Sequence, residues 1–180
     1  MNNIIKLATL LVGLTLMSVP LSAKQQAPAT FVTETLKVSG HVEQPLSLSV
    51  AQLASEFTLH QDGNVALICQ SGDNKGQLEN FKGVLLTDIL QKAKIISREH
   101  NELKKIVIIA TASDDYKAVF SWNELFNSPI GEGVLVFFEK DGAALNDFEG
   151  RIAMVSSKDT RTGPRHVRWL KQIDVVRIAD

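Results

Sequence analysis

The chain has 180 residues, 44% of them hydrophobic and 22% charged, with 19 Lys and Arg against 20 Asp and Glu for a formal net charge of −1. That composition describes one globular domain with a sizeable core and excludes a disordered, collagenous or repeat chain. The near-neutral balance also predicts no nucleic-acid partner.

Lys6 forms a short positive region, Leu7 to Val19 an apolar stretch, and Leu21-Ser22-Ala23 a small-residue cleavage site. The pattern predicts a secretory signal peptide over residues 1–23. The apolar stretch is shorter than the roughly 20 residues a spanning helix needs, and no later stretch approaches that length. The expectation is a soluble periplasmic protein with no stable membrane insertion after cleavage. No Arg-Arg pair precedes the apolar stretch, so the signal reads as the general secretory type. No Cys follows the cleavage site to carry a lipid. Residues 24–30 read as a flexible lead-in, and residues 31–180 as the folded domain.

Phe31 to Ser39 alternates as a strand that Gly40 ends, and Leu46 and Leu48 begin a second. Ser49 followed by Gln52 predicts a capping box ahead of Leu53 and Phe57. Asp62-Gly63 reads as a tight turn feeding an apolar strand, Val65 to Ile68, that stops at Cys69. Ser71 to Lys82 reads as a polar loop. Val84, Leu85, Ile89 and Leu90 recur with helical spacing, which predicts a helix over 86–94. Ile106 to Ala110 is a buried strand, Asp114-Asp115-Tyr116 a turn, and Lys117 to Phe120 a short strand. Ser121 and Glu124 repeat the capping box and start a short helix through Phe126. Val134 to Phe138 is another buried strand, and Asp141-Gly142 closes a hairpin. Ile152 to Val155 and Trp169 to Ile178 supply the last strands. About eight short strands with two or three short helices, and no regular βαβ alternation, predict an α+β fold that is mainly β.

Two features carry chemistry. Cys69 is the only cysteine, so it cannot form an internal disulfide. It is a buried core hydrophobe, a ligand or a nucleophile. The second feature is a cationic segment, residues 151–171, with Arg151, Lys158, Arg161, Arg165, Arg168 and Lys171 opposed only by Asp159. Arg forks, hydroxyls and the close backbone approach that Gly163 permits suit a phosphate or sulfate oxyanion. The competing reading is a solvated loop whose charges balance Glu132, Glu139, Asp147 and Glu149. The four His show no metal-ligand spacing. No G-x-S-x-G or GxGxxG occurs to support a hydrolase or a dinucleotide enzyme.

Leu36 to Leu48, with Val38, Gly40, Val42, Pro45 and Leu46 in order, resembles the opening of the sulfite-oxidase-type molybdopterin-binding domain. Phe81 to Leu90, Ser113 to Tyr116, Asp141-Gly142, Gly150-Arg151-Ile152 and Val167 to Lys171 are similar to that family in the same order. The resemblance implies a mainly-β α+β fold with mixed sheets and a molybdopterin cofactor carrying molybdenum. It implies an oxidoreductase in which Cys69, placed after a central strand, is the metal ligand and catalytic residue. It implies that Lys158, Arg161, Thr162, Gly163, Arg165, His166 and Arg168 hold the cofactor, by its pterin phosphate. The alternative within the same fold is a non-catalytic periplasmic binding or accessory protein that takes a small anionic ligand through the basic loop. The expected partner is that ligand or a redox protein.

Overall fold

The computed structural model describes residues 31–178. The signal peptide expected over 1–23 and the lead-in over 24–30 lie outside the described residues.

Among the described residues, ten strands form two five-stranded sheets, accompanied by three α-helices. The first sheet contains β1 (Thr35–Gly40), β2 (Leu46–Ser49), β5 (Ile106–Ala112), β6 (Lys117–Ser121) and β10 (Leu170–Arg177), in the order β2-β1-β10-β5-β6. It is mixed: β1 runs parallel to β10, and the other pairs are antiparallel. The second sheet is antiparallel, with β3 (His60–Ile68), β4 (Asn74–Leu85), β7 (Val134–Lys140) and β8 (Ala143–Ala144) in line and β9 (Ala153–Ser156) also paired to β7.

The helices are α1 (Val50–Glu56), α2 (Leu86–Ala93) and α3 (Trp122–Phe126). Ser49 and Ser121 each close the expected reciprocal capping box, with Gln52 and Glu124. Each box satisfies backbone donors that a short helix would otherwise leave open. Helix α2 buries Leu86, Ile89, Leu90 and Ala93 and is followed by Lys94 in the left-handed conformation; of the positions the helical spacing marked, Ile89 and Leu90 lie in it, whereas Val84 and Leu85 end strand β4.

The period of two along β7 explains its unbroken apolar run. Val134, Val136 and Phe138 enter one core, shared with the first sheet and the helices, while Leu135 and Phe137 enter a second core. Strand β9 divides the same way, with Met154 in the first core and Ala153 and Val155 in the second. A strand buried on both faces has no polar side to alternate with. The second core also takes Val65, Leu78 and Phe81 and packs against Leu67.

Two sequence expectations change. Asp62-Gly63 lies inside β3, and most of the expected polar loop 71–82 is the start of β4. In this β3–β4 arm, Asn74 to Gln77 are all exposed, so no apolar alternation marks the strand. The tight turn is at 69–73 instead, where the Gly72 amide donates to the Cys69 carbonyl at 2.9 Å. The remaining elements fall within a few residues of their expected bounds.

Candidate functional site

Strand β3 ends at Ile68, and Cys69 stands at the first position beyond it, half-buried rather than in the core. Its Sγ lies 2.8 Å from Ser71 Oγ, which in turn donates to Asp73 at 3.0 Å. Lys75 pairs with the same Asp73 carboxylate at 3.3 Å. Hydrogen bonding by the Ser71 side chain, with backbone amides of Ser71 and Asp73 adding to it, holds the thiol below its ordinary pKa, against partial burial and the nearby Asp73 charge. The site therefore favours the thiolate, the form that binds soft metals and attacks electrophiles.

The end of β3 is tied across space to residues 160–166. The Thr162 side chain accepts from the Ile68 amide at 3.0 Å and donates to the Ala66 carbonyl, and Thr162 is only 5% exposed. Gly163 follows because the backbones nearly touch: a Cβ there would lie 2.9 Å from the Ile68 carbonyl oxygen and 3.2 Å from Cys69 Cα. Arg161 reaches the other side of the turn. A Cβ at Gly72, whose φ is +100°, would lie 3.3 Å from its guanidinium. Residues 94 positions apart in sequence thus form one wall.

That wall opens on a cavity of about 850 Å³. Cys69, Gln70 and Lys75 line it from the turn, and Gly163, His166 and Arg168 from the basic segment. Leu67 and Leu78 of the second core line its apolar side. Tyr116, Phe148 and Trp169 add aromatic surface. The Arg168 guanidinium stacks 4.3 Å from the Phe148 ring centre and 4.9 Å from that of Trp169. Tyr116 is held by a hydrogen bond from its hydroxyl to the Pro164 carbonyl at 2.7 Å.

The cationic segment is divided among several roles. Arg165 makes a paired contact with Asp159, a bond to Glu124 at 3.0 Å and a stack on Phe120 at 4.4 Å. The Asp159 and Glu124 bonds hold its pKa above the ordinary value although burial opposes this. Lys158 pairs with Glu132, Arg151 with Asp147 and Lys171 with Asp115. Much of the charge that looks like a binding cluster in sequence therefore balances acids from elsewhere. His166 and Arg168 remain on the main cavity. Lys158, Arg161 and Arg165 border a smaller cavity of about 400 Å³, which shares Gln70 and Pro164 with the larger one.

Sequence reading did not single out Phe148 or Glu149 as site residues. Both lie in a turn after β8 with no local motif. Glu149 is half-buried and faces His166, with Oε2 and Nε2 3.3 Å apart. Neither atom has an aligned hydrogen-bond partner. Burial opposes ionisation of Glu149, yet His166, Arg168 and Lys140 together hold its carboxyl below the usual value. Among the described residues, no group of three or more His, Cys, Asp and Glu side chains is gathered for a metal ion.

A two-sheet, mainly-β domain with a thiolate-favouring Cys at a strand end, opening on a ligand-sized cavity, defines a cofactor- or ligand-binding class of protein. Residues 23–179 match the family described as the oxidoreductase molybdopterin binding domain, and the chain belongs to that family. Among solved structures it is similar to the sulfane dehydrogenase SoxCD from Paracoccus pantotrophus, at 18% identity and a TM-score of 0.56. The likeness covers 78% of this chain and 37% of that one, so this chain spans little more than a third of that neighbour's length. It supports the fold. No curated protein sequence matches significantly.

Proposed function

We propose that the chain is an exported, periplasmic molybdopterin-dependent oxidoreductase domain in which Cys69 is the protein ligand to molybdenum. One observation carries this reading: a half-buried thiol with a lowered pKa opens at a strand end onto a cavity of about 850 Å³. That volume lies within the range of small-molecule and cofactor sites.

The residues present fit the group. Thiolate is a soft donor suited to the metal. A single protein thiolate leaves the other metal positions to ligands that arrive with the cofactor. The Glu149–His166 pair adds a polar group to the cavity wall. Arg168, Lys140 and Lys75 on the same wall suit an anionic tail.

Two-electron oxidation–reduction chemistry is what the group supplies when bound. This chain's residues do the rest. The Ser71 hydroxyl, 2.8 Å from Cys69 Sγ, holds the thiol below its ordinary pKa and so eases its deprotonation. Thr162 and Gly163 hold the backbone around Cys69 against the opposite wall. Tyr116, Phe148 and Trp169 give the cavity an aromatic lining. With the group bound, a redox partner protein would take up the electrons.

Protein recovered from the periplasm is assayed for molybdenum by mass spectrometry and for pterin by fluorescence after acid oxidation. The expected result is near-stoichiometric metal that is lost in Cys69→Ser. Wild-type protein carrying neither metal nor pterin would overturn the reading and leave a binding protein for an anionic ligand.

A further inference from the structure

We draw no further inference here: the strongest candidate, the apolar patch of Val107, Ile109, Val119 and Val176 on the solvent-facing side of the first sheet, carries nothing because nothing in the structure shows what covers it.

Discussion

Replacing Thr162 by Val isolates what joins the two halves of the site. Valine keeps the branched shape and removes only the hydroxyl, which accepts from Ile68 N at 3.0 Å and donates to the Ala66 carbonyl. Each such bond contributes about 1 kcal/mol net, so losing both should cost about 2 kcal/mol. For a domain of this size that is roughly 6 °C in Tm. Urea denaturation measures the energy. The alkylation rate of Cys69 by iodoacetamide measures the consequence, because the same hydroxyl holds residues 160–166 against the strand that ends at the thiol. Faster alkylation with the expected destabilisation supports the argument. A loss below about 0.5 kcal/mol would refute it, since two buried bonds cannot vanish at so small a cost. An unchanged alkylation rate would show that the tether supports the fold without controlling access to Cys69.

Two further predictions follow from the ion pairs. Arg165→Met should cost about 3 kcal/mol, because it strands the Asp159 carboxylate, whose side chain is only 8% exposed. Adding Asp159→Asn should recover part of that loss in denaturant titrations, and a variant with wild-type stability would show that Arg165 is not structural. Acid stability should report on Glu149. Its folded carboxyl is held below the usual value, so the unfolded chain binds more protons below about pH 4.3. The stabilisation is full above that pH and is lost as pH falls through the lowered folded value. Glu149→Gln should therefore flatten the acid limb of a urea-midpoint series, and parallel limbs for the two proteins would rule this out.

Local rules were legible wherever one short stretch carried the whole signal. The Ser49 and Ser121 capping boxes and the Asp141-Gly142 turn each depend on residues within a few positions, and each forms as read; the helix α2 forms where expected, with Ile89 and Leu90 on its buried face. Strand β7 was legible because burial on both faces leaves an unbroken apolar run, and β5 because its run of β-branched residues is apolar throughout. Strand β4 was not. Its first residues project into solvent, and polar side chains on both faces look like a loop until the pairing with β3 is known.

The same division holds at the site. Sequence alone determined that a lone Cys ends an apolar strand, that a cationic segment follows late in the chain, and that the ordered motifs match one family. It could not say what each charge faces, because an ion pair depends on distance in space and not on sequence spacing. Only the tertiary structure decided that Arg165 is held by Asp159 and Glu124, that Thr162 bonds to the strand of Cys69, and that Glu149 faces His166 in the wall of the same cavity. Two sheets and a returning loop bring Cys69 and Gly163 together. That closeness converts a single thiol into one wall of a cavity sized for a cofactor.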